Sequence, residues 1–175
     1  MKKALIIYAT REGQTEKVAH KIRDHFIEAK LETSLHDARK IRKVNLEDFD
    51  LLVFGGSMHI GGIEKELVSF INDHKEEIES KPNAFFLVLL SAATKDPVLR
   101  EEWLNDARKR VDKQLITKFN RIEMVAGALK YSKYSWPMKW IMRMISKRAG
   151  EGTDFGRDYE YTDWKKVKEF AYSLI

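Results

Sequence analysis

Six residues near the amino terminus, Thr10-Arg11-Glu12-Gly13-Gln14-Thr15, follow the apolar run Ala4 to Tyr8 and lead into a helical pattern. Gly13 allows a tight turn and a close backbone approach. The amides of Arg11 to Thr15 can then converge with the helix N-terminus on one anion. Thr10 and Thr15 add hydroxyl donors, and the set suits a phosphate monoester. There is no Gly-Lys-Ser/Thr and only one glycine in the loop, which argues against ATP, GTP and a Rossmann-type NAD site. The plainer reading is a strand-to-helix turn with a polar cap.

Two further loops strengthen the ligand reading. One is Gly55-Gly56-Ser57-Met58-His59-Ile60-Gly61-Gly62, whose glycines let backbone lie against a flat ring and whose amides can meet ring heteroatoms. The other is Leu90-Ser91-Ala92-Ala93-Thr94, small residues that leave room for a planar ligand. Each alone is ordinary turn chemistry. Three such loops at one sheet edge point to a planar, phosphorylated ligand held by Thr10 to Thr15, by Ser57, Met58, His59, Ile60 and Gly61, and by Ser91, Ala92, Ala93 and Thr94. His59 is the one candidate for a proton relay, against the simpler reading of a solvent-facing loop histidine. His74 shares the stripe of Leu67, Ile71 and Ile78 and reads as a half-buried packing residue. His20 and His25 are five apart and do not share a helix face, which speaks against a metal pair.

The elements that must position these loops alternate in type. Short β-rich runs appear at Ala4 to Tyr8, Leu51 to Gly55, Phe85 to Leu90 and Ile122 to Leu129, with a weaker run at Glu32 to His36. Helical spacing links Val18, Ala19, Ile22 and Phe26, then Leu67, Ile71 and Ile78, then Leu104, Ala107 and Val111, then Trp164, Val167, Ala171 and Leu174. Strand, helix, strand in strict alternation predicts a doubly wound parallel α/β sheet with helices on both faces. The unbroken apolar stretch Leu51-Leu52-Val53-Phe54 agrees with burial on both sides.

A length of 175 residues suits a single domain with its own core. The absence of cysteine removes disulfides, thiolate nucleophiles and cysteine-ligated metal or iron–sulfur sites. The start Met-Lys-Lys runs into Ala4 to Tyr8 and is interrupted by Thr10, Arg11 and Glu12, so it does not read as a signal peptide. No stretch approaches the roughly 20 apolar residues that span a bilayer. The expectation is a cytoplasmic protein.

One segment breaks the alternation, from about 130 to 160. Lys130 to Arg148 holds Lys130, Lys133, Lys139, Arg143, Lys147 and Arg148 and no acid, interleaved with Tyr131, Tyr134, Trp136, Met138, Trp140, Ile141, Met142, Met144 and Ile145. On a helix starting near Trp136, Lys139, Arg143 and Lys147 follow at i, i+4, while Trp140, Ile141, Met144 and Ile145 form an apolar face. A basic amphipathic helix with tryptophans reads as an element at a membrane surface. The alternative is a helix packed on its own domain or on a second subunit. Nucleic acid fits less well, because RNA platforms usually present aromatics on a sheet. Lys130, Lys133, Trp136, Trp140 and Arg143 are the candidate contacts to substrate or membrane.

With these residues in view, Lys3 to Thr15 looks like a flavodoxin phosphate loop. The whole chain resembles the flavodoxin-like, quinone-dependent protoporphyrinogen IX dehydrogenase family. The resemblance is carried further by Ala126-Gly127-Ala128-Leu129-Lys130-Tyr131, Ile145-Ser146-Lys147, Gly152-Thr153-Asp154 and Tyr161-Thr162-Asp163-Trp164. It implies a five-stranded flavodoxin-like sheet of order 2-1-3-4-5 with an insertion after or within strand five. It also implies FMN as cofactor, a porphyrinogen substrate, a quinone acceptor and a step of heme biosynthesis. Carried over, Thr10, Arg11, Gly13, Gln14 and Thr15 hold the phosphate, and the two later loops flank the isoalloxazine. Glu12 stands where ordinary flavodoxins place a hydroxyl residue; its carboxylate would repel a phosphate, so it contributes its amide. The competing functions are an electron-transfer flavodoxin, a quinone reductase fed by NAD(P)H, and a flavin-free binding module. The net charge of +5 fits the first of these poorly, because ordinary flavodoxins are acidic.

Overall fold

Alternation within each apolar run sends successive side chains to opposite faces of a sheet. In the computed structural model, which describes residues 1–41, 43–59, 62–133, 135–149 and 153–175, this is what happens along β1 (Lys3–Tyr8). Leu5 and Ile7 enter one core, and Ala4, Ile6 and Tyr8 the other. β1 pairs in parallel with β2 (Glu32–Asp37) and β3 (Leu51–Ser57), β3 with β4 (Asn83–Leu89), and β4 with β5 (Arg121–Ala126). The order is β2-β1-β3-β4-β5, as the resemblance implies. Strand order therefore reverses at β1 and β3, and their carboxyl ends bound a crevice.

Each face is closed by its own helices. α1 (Gln14–Glu28) and α6 (Trp164–Tyr172) bury Val18, Ile22, Phe26, Val167 and Phe170 against Ile6, Val53 and Phe86. α2 (Lys65–Asp73), α3 (Lys75–Glu79) and α4 (Pro97–Gln114) bury Leu67, Ile71, Ile78 and Val111 against Leu5, Leu52, Phe54 and Phe85. Each such buried side chain contributes about 1.5–3 kcal/mol relative to exposure. The break between α2 and α3 falls at His74, which is half-buried, stacks on Phe70 at 4.4 Å and bonds the Phe70 carbonyl through Nδ1 at 2.9 Å.

Most strand ends differ from the sequence expectation by one or two residues, and two of the differences bear on the site. β3 continues through Gly55 and Gly56 to Ser57, so these glycines lie inside the sheet rather than in a loop. Gly55 is there for packing: a Cβ on it would sit 2.0 Å from the Phe86 ring. The fifth run divides at Gly127. Its amide donates to the Leu89 carbonyl at 3.1 Å, while its carbonyl accepts from the Tyr161 amide at 3.0 Å. The chain thus leaves the main sheet, and β6 (Ala128–Leu129) pairs antiparallel with β7 (Tyr159–Glu160). Between β6 and β7 lie a single 3-10 turn over Tyr131–Lys133 and helix α5 (Trp136–Ala149).

Candidate functional site

The turn after β1 is built by Thr10 and Gly13. Gly13 takes a left-handed φ of 88° at the N-cap of α1, and its amide donates to Thr10 Oγ1 at 2.9 Å. That conformation turns the chain sharply into the helix, whose first amides then face the cavity with no side-chain cap over them. Thr15 is 1% exposed, and its Oγ1 has no hydrogen-bond partner among the described residues. A buried hydroxyl beside a helix N-terminus needs an acceptor, and a phosphate oxygen supplies one. Gln14 has a different commitment: its Nε2 donates to Thr162 Oγ1 at 2.8 Å, which donates in turn to the Ala126 carbonyl at 2.7 Å. The Gln14 side chain thus ties the loop to the strand leaving the sheet.

The end of β3 carries a compact polar group. Ser57 Oγ lies 2.9 Å from His59 Nε2, and both face Glu64 at the N-cap of α2. Glu64 is 5% exposed, with Oε1 3.2 Å from His59 Nε2 and 3.1 Å from Arg11 Nε. Burial pushes the Glu64 carboxyl up, but the His59 hydrogen bond and charge, its own amide and the Arg11 charge outweigh this, and it is held below the usual carboxylate range. Glu64 was not legible as a site residue, because an acid just ahead of a helix is an ordinary first-turn charge. His59 and Gly62 exchange backbone hydrogen bonds of 3.1 and 3.0 Å. Ile60 and Gly61, the other ring-loop candidates, lie outside the described residues.

A cavity of about 600 Å³ opens between these two turns, within the roughly 300–1,000 Å³ of small-molecule sites. Thr10, Arg11, Glu12, Gln14 and Thr15 line one end, and Ser57, Met58 and His59 one side. Of the β4 loop, Leu90 and Ser91 reach it. Ala92 and Ala93 line a neighbouring cavity of about 390 Å³, and Thr94 is fully buried. The sequence reading missed Val88 and Leu89 at the end of β4, Gly127 and Ala128 beyond β5, and Ser135 and Met142. Met142 shows that α5 forms a wall of the site, with Ser135 just ahead of it at the rim. One turn beyond Met142, Ser146 is fully buried. A serine on the inward side hides it from a search for apolar periodicity.

The outer surface of α5 carries the tryptophans. Trp136 is 66% exposed, Trp140 48% and Met144 70%. Trp140 and Phe155 meet edge to face at 5.3 Å, and the Arg143 guanidinium lies 5.0 Å from the Phe155 ring. The side chains of Met138, Ile141 and Ile145, and all of Tyr134, fall outside what is described. Lys130 and Lys133 do not share this outer surface. Their Nζ atoms reach back across the fold and donate to the Glu12 carbonyl at 3.0 and 2.9 Å. Among the described residues no helix is long and apolar enough to cross a membrane, and no cluster has the residues to hold a metal ion.

Comparison with known proteins agrees with this geometry. The chain is 29% identical over 172 residues to a protein of Escherichia coli K12 named protoporphyrinogen IX dehydrogenase (quinone), covering 98% of this chain and 94% of that one. A Leishmania major protein of the same name is 28% identical over 176 residues, covering 97% and 73%. Among solved structures, oxidised flavodoxin 1 of Bacillus cereus superposes with a TM-score of 0.56 at 18% identity, covering 98% and 96%. The model of the flavodoxin domain matches residues 5–155, nearly the whole α/β sheet and its crevice. With a left-handed glycine turn, a threonine hydroxyl that has no hydrogen-bond partner among the described residues, and a cavity at the strand switch point, this chain belongs to the flavodoxin domain family, and its cofactor is FMN.

Proposed function

We propose that this protein oxidises protoporphyrinogen IX to protoporphyrin IX and passes the electrons to a quinone. The observation that carries this reading is the inner wall of the cavity. Met58, Val88, Leu89, Leu90 and Met142 make an apolar lining beside the place for the flavin ring, and α5 supplies part of it. An electron carrier that only docks other proteins needs apolar lining for its flavin alone; the added wall from α5 gives apolar surface that a macrocycle and a quinone would also use. The names of the relatives, at moderate identity over nearly the full chain, support the same substrate pair.

When bound, FMN supplies the two-electron chemistry. The chain's own residues hold and shield. Thr10 and Gly13 shape the turn, and the Thr15 hydroxyl and the α1 amides bind the phosphate. His59, held beside Ser57 and Glu64, lines the cavity within reach of a group placed there. Met142 closes the α5 side of the cavity. The exposed Trp136, Trp140 and Met144 give α5 an outer apolar stripe, which suits the surface of a bilayer where a quinone resides.

The test is turnover under anaerobic conditions. Purified FMN-loaded protein mixed with protoporphyrinogen IX and a quinone is expected to generate porphyrin fluorescence faster than an enzyme-free control. Equal rates, or quinone reduction that depends on NADPH alone, would count against the reading.

A further inference from the structure

Lys130 and Lys133 stand at the phosphate turn although they come from the segment after β6, more than a hundred residues along the chain. Both ammonium groups converge on one main-chain oxygen, the Glu12 carbonyl. They lie 3.9 and 3.7 Å from where a Gly13 Cβ would be. Lys133 also lines the cavity. Among the described residues neither has an ion-pair partner. The acid that feels their charge is Asp158, whose carboxyl is held low first by its hydrogen bonds to the Ser132 hydroxyl and amide. Two like charges sharing a single carbonyl repel each other, and the arrangement is relieved when an anion joins them.

We propose that Lys130 and Lys133 form a cationic clamp on the FMN phosphate, completing the cradle of Thr10 to Thr15. This rests on the FMN reading above. A phosphate monoester carries about −1.5 to −2 at neutral pH, which two ammonium groups match. The carbonyl of Glu12 pre-positions both lysines through charge-assisted hydrogen bonds that leave their positive charge uncancelled, so little side-chain order remains to be lost when the phosphate arrives. The clamp also explains how an acidic residue at position 12 is tolerated beside an anion: the net charge around the turn stays positive. Because Lys133 lies only three residues before α5, the same contact ties the start of that helix to the occupied cofactor site.

The experiment compares FMN with riboflavin, which lacks the phosphate, by flavin fluorescence quenching in the wild-type chain and in Lys130→Met/Lys133→Met. Wild type is expected to prefer FMN, with a preference that falls as salt is raised. In the double variant riboflavin affinity is expected to stay as in wild type, while FMN affinity drops on the order of tenfold to a hundredfold. A double variant that binds riboflavin normally and keeps the full, salt-sensitive FMN preference overturns the clamp and leaves FMN binding intact. Should the double variant bind neither flavin, the wild-type salt dependence decides: a preference unmoved by salt overturns the proposal, and a falling one supports it. A wild-type chain that takes up no flavin at all removes the FMN reading itself.

Discussion

The Nε2 atom of His59 lies 3.2 Å from Oε1 of Glu64, a carboxylate that is 5% exposed. The same oxygen lies 3.1 Å from Arg11 Nε, so one buried acid links the turn after β1 to the segment after β3. Removing its charge leaves the Arg11 guanidinium without its counter-charge and the His59 ring without its carboxylate neighbour. Glu64→Gln is expected to cost about 1–3 kcal/mol at neutral pH. The sign with pH follows from the direction of the shift. Because the folded-state pKa is depressed, the stabilisation is complete above the unfolded value, about 4.3, and is lost as pH falls through the folded one. Urea unfolding of both chains should show the gap at neutral pH closing in acid; a gap of equal size at about pH 3 would rule out the charge as its source.

Gly55 and Phe86 make a second dependent pair. A methyl group at 55 would lie 2.0, 2.4 and 2.6 Å from three atoms of a ring that is itself fully buried. Gly55→Ala should destabilise by about 1–3 kcal/mol or more through overpacking. Gly55→Ala with Phe86→Leu should cost less than the two changes summed, because the smaller side chain vacates the contact. Thermal melting of the three variants measures this, and strict additivity would contradict the clash.

Thr15→Asp tests the cradle directly. The new carboxylate sits at the N-terminus of α1, where the helix tolerates an anion, so the fold should persist by circular dichroism. FMN affinity is expected to fall about a hundredfold or more, since the cradle is then filled by like charge. Unchanged FMN titration would place the phosphate elsewhere.

Trp136 and Trp140 are exposed and belong to the outer side of α5, away from Ser135 and Met142. Trp136→Ser/Trp140→Ser should leave FMN affinity unchanged. Its co-sedimentation with mixed phosphatidylcholine–phosphatidylglycerol vesicles should be several-fold weaker than that of wild type. If neither chain sediments with vesicles, the exposed stripe has another partner, such as a second subunit.

Much of the frame was readable from periodicity alone. The strands at Ala4 to Tyr8, Leu51 to Phe54 and Phe85 to Leu89 are dense in apolar residues because they are buried on both faces, and burial of that kind leaves a strong local signature. The turn after β1 was readable for a similar reason: a left-handed glycine ahead of a helix, with hydroxyl residues on either side, is encoded in adjacent positions. What no local pattern announces is the meeting of distant residues. Glu64 becomes a site residue because the β3 and β1 turns approach each other. The division of the fifth run at Gly127 depends on Leu89 and Tyr161 bonding it from opposite sides. The two lysines look like part of a uniformly basic insert until the chain folds back and sets their ammonium groups on Glu12. Periodicity reports which face of an element is buried, since that depends on neighbours three or four residues away. Contacts closed over a hundred residues depend on the packing of several layers, and only the assembled fold brings them within hydrogen-bond reach.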